Sequence, residues 1–256
     1  MSSSSDKILE VVNLKKYYND FEALKGVNFS LYKGEILGYL GPNGAGKTTT
    51  LNILGGVLPR DGGDIVFYGE PIDPTSDLQY KLKTSYLPED ASMYEHFTIR
   101  EIVNFYYDLY LLEEKRKKVA YELLEVFGLS KFINTQIYSF SKGMKQKLLF
   151  VLTVMTDPEI LLLDEPLASM DAESTIIVRE IIKDLKNKGK SIMFSSHILE
   201  VIEKICDRVV IIDKGEVIAE GTLSDIKEMS SLEEFFTQLT GKGVLEERVE
   251  RAKKLL

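Results

Sequence analysis

Short apolar runs alternate with polar positions and turn residues along the first part of the chain. The runs over residues 8–12 and 35–40 are typical of β-strands, and Gly26 and the pair Lys33-Gly34 punctuate them. Glycine-rich stretches flank an apolar segment within residues 60–75, which predicts a turn followed by a hairpin. Residues 47–57 have the apolar spacing of a helix that ends near two glycines.

The periodicity changes between about residues 88 and 155. Apolar residues recur there at helical spacing, with two predicted buried faces: Ile99, Ile102, Val103 and Tyr106, then Val119, Leu123, Leu124 and Phe127. After Pro158 the runs over residues 160–163, 191–194 and 209–212 are typical of buried parallel strands joined by helices. The pattern predicts an α/β protein with a helical insertion.

Composition narrows the class of protein. The chain has 256 residues with 44% hydrophobic content, enough for a substantial core, and length alone allows one large domain or two modest ones. A net charge of -8 argues against extensive nucleic-acid binding, so any anion site must be local. The single Cys206 fits a small buried residue in a reducing cytosol.

The sequence predicts that this chain is neither secreted nor inserted across a membrane. Residues 1–7 lack the apolar segment of a signal peptide. No apolar run approaches the ~18 to 20 residues that cross a bilayer. Service at a membrane would therefore require spanning helices from another chain.

The strongest local motif follows the strand predicted over residues 35–40. It has the pattern G-x-x-x-x-G-K-[ST] and consists of Gly41, Pro42, Asn43, Gly44, Ala45, Gly46, Lys47 and Thr48. Backbone N–H groups and the next helix's N-terminus can surround phosphates, Lys47 can reach β and γ oxygens, and Thr48 can ligate Mg²⁺. We assign this octet and Thr49 to nucleotide binding. A plain glycine-rich turn is the alternative, and the strand and helix beside it argue against that.

Two carboxylates follow the apolar strand over residues 160–163. At the carboxyl end of a parallel strand, Asp164 can hold Mg²⁺ through its water shell while Glu165 faces an attacking water. Strand alternation would point the two side chains apart. A strand exit or a helix N-cap is the alternative for this pair, and the phosphate loop favours the metal and catalytic roles. Together the motifs predict a P-loop NTPase, a class that includes kinases, GTPases and helicases.

A third motif narrows this class. Residues 140–147 resemble the signature sequence of ATP-binding cassette (ABC) proteins. Ser141 and Gly143 stand where the family has its serine and second glycine, whereas Lys142 and Met144 replace the usual glycine and glutamine. A serine before a helix predicted over residues 144–155 makes an anion-binding terminus, and it would equally serve as an N-cap.

Other landmarks of the family occur in the expected order. Tyr18 matches the aromatic residue that stacks on adenine, with Tyr17 as a neighbouring candidate and simple packing as the alternative. His197 stands at the end of a strand, in the place of the family's switch histidine that contacts the γ-phosphate. His96 has no such context and is assigned a structural role.

Two further landmarks bear on partners and metal. Asp171 occupies the place of the aspartate in the loop that crosses between subunits. Glu89, after residues 86–88, replaces the glutamine that links the Mg²⁺ site to the membrane partner. The resemblance assigns Thr48, Glu89 and Asp164 to the metal, and Glu165 and His197 to catalysis.

The resemblance implies a P-loop NTPase core with a mixed, mainly parallel sheet, an N-terminal antiparallel β subdomain and a helical insertion. It covers residues 7–225 as one ATPase domain, with a helical subdomain over about 88–155 and a short helical extension over 226–256. ATP and Mg²⁺ are the implied cofactors. Ser141, Lys142, Gly143 and Met144 would act in trans on the ATP of a second cassette subunit, identical or different.

The resemblance also implies a separate transmembrane permease and a peripheral location on the cytoplasmic face of the membrane. Residues 231–241 resemble the C-terminal stretch of exporter-type cassettes, which predicts drug, lipid or peptide efflux. The runner-up is a cassette ATPase of DNA maintenance or translation, disfavoured because the chain is acidic and has one cassette and no sustained heptads. A non-catalytic nucleotide-binding dimer is a third alternative, against which Glu165 argues. The transported substrate cannot be read from this chain.

Overall fold

A computed structural model gives the fold of residues 7–90 and 95–229. The strands in these ranges are β1 (Lys7–Tyr18), β2 (Phe21–Tyr32), β3 (Ile36–Leu40), β4 (Gly62–Phe67), β5 (Glu70–Ile72), β6 (Thr84–Leu87), β7 (Ile160–Asp164), β8 (Ser191–Ser196), β9 (Arg208–Asp213) and β10 (Glu216–Thr222). The α-helices are α1 (Lys47–Leu54), α2 (Leu78–Lys83), α3 (Ile99–Leu109), α4 (Glu114–Val126), α5 (Lys142–Met155), α6 (Ala172–Asn187), α7 (Leu199–Ile205) and α8 (Leu223–Met229).

The first sheet is antiparallel and has the order β2-β1-β4-β5. Leu9 pairs with Leu31 on one side and Phe67 on the other, and all three side chains are buried. The β4–β5 hairpin confirms the turn and hairpin expected within residues 60–75. This sheet is the predicted N-terminal antiparallel β subdomain.

The second sheet has the order β10-β9-β3-β8-β7-β6 and is parallel except for the edge strand β10. Its register places Leu40 beside Ser196, Leu87 beside Leu163, and Asp164 beside Ser195. The carboxyl ends of β3, β6, β7 and β8 therefore meet along one edge, which is where ligands bind in open parallel sheets. The mainly parallel sheet predicted from the sequence is confirmed.

Alternation along the central strands divides the core into two layers. Leu161 and Leu163 of β7 point into a cluster with α3 to α7, whereas Ile160 and Leu162 point into a cluster with α1 and the antiparallel sheet. Because both faces are covered, the central strands are apolar at nearly every position, as parallel sheets require. Cys206 lies in the first cluster, and burial raises the pKa of its thiol, as expected for an inert buried cysteine.

Helices α3, α4 and α5 form the helical insertion, with two local differences from the prediction. Of the stripe predicted on α4, Leu124 and the C-cap residue Phe127 are buried, whereas Val119 and Leu123 are half-buried and Ala120, which was not predicted, is fully buried. Helix α5 begins at Lys142 rather than at residue 144, because the Ser141 hydroxyl accepts a hydrogen bond from the Met144 N–H and caps it.

Two further predictions concern the C-terminal extension and membrane-spanning helices. Of the extension predicted over residues 226–256, the part beyond Met229 lies outside the described residues, as do residues 231–241. Within the described ranges, no helix combines the length and apolar character needed to cross a bilayer.

Candidate active site

The glycine-rich loop connects β3 to α1 at the shared edge of the parallel strands. Gly44 and Gly46 have φ values of 81° and 110°, which an L side chain rarely adopts. A Cβ at Gly41 would lie 2.3 Å from the Ile212 carbonyl oxygen on β9. Glycine is therefore required here by backbone conformation and by close approach, and the loop's curl follows from these positions.

Lys47 opens α1 and folds back over the loop. Its Nζ donates to the carbonyl oxygens of Gly41 at 2.8 Å and Pro42 at 3.3 Å, and lies 4.0 Å from Glu165 Oε1. Burial lowers the pKa of the ammonium group, and neighbouring carboxylates oppose that shift. An ammonium held by neutral carbonyls can turn toward stronger acceptors such as phosphate oxygens.

Asp164 lies fully buried at the end of β7. Its Oδ1 accepts a 2.5 Å hydrogen bond from Ser195 Oγ, whereas Oδ2 has no hydrogen-bond partner among the described residues. Burial raises the pKa of this carboxyl group, and the neighbouring Ser195 and Thr48 hydroxyls oppose that shift. A buried carboxylate oxygen without a partner requires an explanation. With the Thr48 hydroxyl beside it, the pair provides the hard oxygen ligands that suit Mg²⁺.

Glu165 leaves β7 in a left-handed conformation, with a φ of 45°. Its N–H donates to Ser195 Oγ at 3.1 Å, and its Oε1 lies 2.8 Å from His197 Nδ1. Strand alternation was expected to separate the Asp164 and Glu165 side chains, but this backbone turn also redirects the second one. A left-handed conformation is uncommon for a glutamate.

A cavity of about 400 Å³ opens above the loop. Its walls are Tyr18, Phe21, Ala23, Asn43, Gly44, Gly46, Lys47, Thr48, Thr49, Glu89, Glu165 and His197. The structure thus brings together most of the nucleotide-binding and catalytic residues predicted from the sequence. The predicted residues Gly41, Pro42 and Ala45 form the loop without lining this cavity, and the fully buried Asp164 does not line it either.

The cavity has one aromatic residue in its wall besides the predicted Tyr18. Tyr18 lines it, whereas the hydroxyl of the competing Tyr17 donates to Glu22 at 2.8 Å. Phe21, which begins β2 across the same turn, also lines the cavity and is 64% exposed, although the sequence analysis missed it. An aromatic residue three positions from Tyr18, in a short turn, was the available signal.

The signature residues do not line the cavity described above. Ser141, Lys142, Gly143 and Met144 lie at the start of α5, where Ser141 caps the helix as the alternative interpretation expected. A Cβ at Gly143 would lie 2.6 Å from the Ser169 carbonyl oxygen. The signature therefore packs closely against the loop that follows Glu165.

Asp171 ends that loop and has two partners within the chain. Its Oδ1 accepts from the Ser174 N–H at 2.8 Å, which caps α6, and its Oδ2 pairs with Lys147 of α5 at 2.6 Å. These contacts hold the pKa of the carboxyl group well below its usual range. In this chain alone, Asp171 is thus joined to the signature helix.

Comparisons with known proteins identify the family of this chain. A family model described as "ABC transporter" matches residues 24–168. The Bacillus subtilis linearmycin resistance ATP-binding protein LnrL is 38% identical over 220 residues, which are 86% of this chain and 70% of that protein. The Bacillus subtilis ABC transporter ATP-binding protein NatA is 35% identical over 215 residues, covering 83% of this chain and 87% of that protein.

Solved structures extend the comparison to the fold. A structure described as the ATP binding subunit of an ABC transporter matches with a TM-score of 0.84 at 32% identity, over 91% of this chain and all of that one. A cassette described as a dimeric post-hydrolysis state bound to ADP and Pi shares the fold, with a TM-score of 0.75 at 24% identity over 84% of this chain and 98% of that one. The chain belongs to the ABC transporter family, as an ATP-binding subunit with ATPase chemistry.

Proposed function

We propose that this ABC ATPase works as a head-to-tail dimer that couples ATP binding and hydrolysis to export through a separate membrane subunit. The observation that carries the proposal is the separation of two phosphate-binding features within one chain. Lys47, Glu165 and His197 share the cavity, while Ser141 caps α5 elsewhere. A second subunit can bring its own α5 terminus to the open side of the cavity, where its dipole would favour phosphate.

The nucleotide's phosphates would lie along the glycine-rich loop. Lys47 would exchange its loop carbonyls for β and γ oxygens, and Thr48 and Asp164, with Glu89 nearby, would hold Mg²⁺. When bound, the metal would neutralise charge on the phosphates. The rest of the loop would also contact the nucleotide. These residues are Gly41, Pro42, Asn43, Gly44, Ala45, Gly46 and Thr49. Tyr18 would stack on the adenine base.

Glu165 has the geometry of a general base. Its carboxylate can accept a proton from a water that attacks the γ-phosphate, and the left-handed backbone fixes its direction. Nδ1 of His197 lies 2.8 Å from Oε1 of Glu165, and the histidine side chain is half exposed. It can therefore orient Glu165 and also reach the γ-phosphate. We assign catalysis to these two residues.

The second subunit would supply Ser141, Lys142, Gly143 and Met144 to the γ-phosphate. Asp171 would approach the partner from the adjoining loop. Hydrolysis and phosphate release would remove the charge that joins the two halves, so the dimer would open and move its membrane partner. Residues 7–225 would act as the ATPase domain, with residues 88–155 as its helical subdomain and 226–256 as an extension.

The names of two relatives support export as the direction of transport. LnrL is named for linearmycin resistance, and a Burkholderia orbicola protein named Nod factor export ATP-binding protein I is 34% identical over 210 residues, covering 82% of this chain and 69% of that protein. We therefore place this subunit at the cytoplasmic face of a membrane, with an exporter permease as partner and no nucleic acid.

Stacking on the base is the first testable part of this proposal. Tyr18→Ala and Phe21→Ala should each raise the dissociation constant for ATP about tenfold, because aromatic stacking on a base contributes ~1–3 kcal/mol. Equilibrium binding of ATP in Mg²⁺ measures the effect. Tyr17→Phe is the matched control and should stay within about twofold, since it loses only the hydroxyl contact with Glu22. Equal affinities for the parent and both alanine variants would remove these aromatics from the site.

A mixed surface beside α2 and α3 is the proposed contact with the membrane subunit. A cavity of about 240 Å³ lies between α3 and β6, with Val57, Tyr106 and Tyr110 in its wall together with the polar side chains of Lys81 and Thr84. The adjoining helices α2 and α3 expose Leu82 and Leu109 at 44% and 58%. Exposed apolar side chains around a groove are typical of protein interfaces.

Co-purification tests this surface. Leu82→Asp with Leu109→Asp should reduce recovery of the membrane subunit from solubilised membranes at least tenfold, because two charges would be buried without partners. Val126→Asp, at a 55% exposed position on α4, is the control and should retain the partner. Intact recovery with the double variant would place the membrane contact elsewhere.

A further inference from the structure

We propose that Glu89 makes nucleotide binding depend unusually strongly on a divalent cation, by repelling metal-free polyphosphate from the cavity. The inference rests on the proposed nucleotide site and deepens it. It concerns the one landmark at which this chain carries a charge in place of the family's neutral amide. The ligand it discriminates against is a nucleoside triphosphate without its metal.

The sheet register fixes where Glu89 lies. Strands β6 and β7 are parallel neighbours, with Leu87 paired to Leu163. Glu89 follows Leu87 by two residues, and Asp164 follows Leu163 directly, so both emerge at the same edge. Glu89 lines the cavity together with Lys47 and Thr48.

The charges around the phosphate position are unbalanced. Three carboxylates, those of Glu89, Asp164 and Glu165, act on the single ammonium group of Lys47, and each opposes the lowering of its pKa by burial. An incoming polyphosphate anion therefore meets an excess of negative charge.

A divalent cation reverses this balance. The partnerless Oδ2 of Asp164 and the adjacent Thr48 hydroxyl offer hard oxygen ligands. With the cation present, the carboxylate of Glu89 faces positive charge instead of bare phosphate. The same side chain thus opposes ATP alone and favours ATP with its metal, which increases the coupling between the two ligands.

Glu89→Gln isolates the charge because glutamine keeps the size and one oxygen. Removing one negative charge at a distance of several ångströms in a partly exposed cavity should strengthen binding of metal-free ATP about tenfold. Affinity for ATP with Mg²⁺ should change less and in the opposite direction, by a factor of about three. The ratio of the two dissociation constants should therefore fall at least tenfold. Glu89→Asp, which keeps the charge, should retain most of the parental ratio.

Isothermal titration of the full chain with ATP, in EDTA and in Mg²⁺, measures both constants. Mn²⁺ binding in the presence of ATP, followed by electron paramagnetic resonance, gives a second readout and should weaken in Glu89→Gln. The control is Glu216→Gln, an exposed glutamate on β10 outside the cavity, which makes the same change in net charge. An unchanged ratio in Glu89→Gln, or an equal fall in Glu216→Gln, would overturn the inference.

The same titrations distinguish a failure of the proposed role of Glu89 from a failure of the proposed nucleotide site. If the parent protein did not bind ATP with Mg²⁺, the proposed nucleotide site itself would fail. If the parent bound ATP with Mg²⁺ and Glu89→Gln had the parental ratio, only the role of Glu89 would fail. A loss of affinity by the same factor in EDTA and Mg²⁺ would also contradict the inference, because it would indicate a direct contact with nucleotide.

Discussion

Glu165→Gln is expected to lower kcat for ATP hydrolysis about a thousandfold while leaving ATP bound in the site. A positioned general base contributes ~10²–10⁴-fold to proton transfer, and glutamine cannot accept the water's proton. The variant keeps the length of the side chain and an oxygen within reach of His197 Nδ1, which lies 2.8 Å from the parental carboxylate. Phosphate release at saturating ATP and Mg²⁺ measures the rate.

The control for this change is Glu173→Gln, at an exposed glutamate in the first turn of α6. It should hydrolyse ATP within about twofold of the parental rate. If Glu165→Gln retained more than about a tenth of parental activity, another group would be accepting the proton. Glu89, which shares the cavity, would then be the first carboxylate to test.

Lys47→Ala is expected to raise the dissociation constant for ATP by about 10- to 100-fold. A charge-assisted hydrogen bond to phosphate contributes ~1.5–3 kcal/mol. Removing the ammonium group also leaves Glu165, now 4.0 Å from Nζ, without its nearest fixed positive charge. That uncompensated carboxylate would further repel phosphate.

Equilibrium binding with a labelled ATP analogue measures the loss in Lys47→Ala. Lys33→Ala is the control, at an exposed lysine in the turn before β3, and should bind as the parent does. An unchanged dissociation constant in Lys47→Ala would show that the loop backbone alone holds the phosphates. The assignment of Lys47 would then be wrong.

Contiguous motifs explain why much of the site was predictable. In the loop from Gly41 to Thr48, the positions of the glycines determine the backbone conformation. Asp164 and Glu165 directly follow an apolar run that is typical of a buried strand. Local spacing and strand direction were enough to place these groups on one edge. The sheet confirms that edge through the pairing of Leu87 with Leu163 and of Asp164 with Ser195.

Features that depend on long-range contacts were not predictable. The order of the strands follows from packing of distant segments, and so does the Ser195 hydroxyl between the Asp164 side chain and the Glu165 N–H. The left-handed turn at Glu165 has no signature in residue type, because glutamate rarely adopts it. Phe21 was missed because an aromatic residue in a strand is usually buried, and here it is 64% exposed.

Ser141 and Asp171 were predicted to act between subunits, and each has a contact within the chain as well. From the sequence, Ser141 could serve as a helix cap or as an anion-binding group, and in this chain its hydroxyl caps α5. Asp171 was assigned to a contact between subunits, and within this chain it caps α6 and pairs with Lys147. A hydroxyl has two lone pairs, so a cap at Ser141 leaves capacity for another contact.

In the proposed dimer, ATP lies between the cavity of one subunit and the Ser141 end of α5 in the other. Light scattering of Glu165→Gln, whose slow hydrolysis preserves the ATP state, tests this most directly. With ATP and Mg²⁺ the mass should be twice the 29.0 kDa of the chain, and with ADP it should be 29.0 kDa. Adding Ser141→Glu, which would place a carboxylate against the γ-phosphate, should keep the double variant at the mass of one chain even in ATP. A mass of one chain for Glu165→Gln in saturating ATP, or a dimer that forms regardless of nucleotide and of Ser141, would rule out this arrangement of the two subunits.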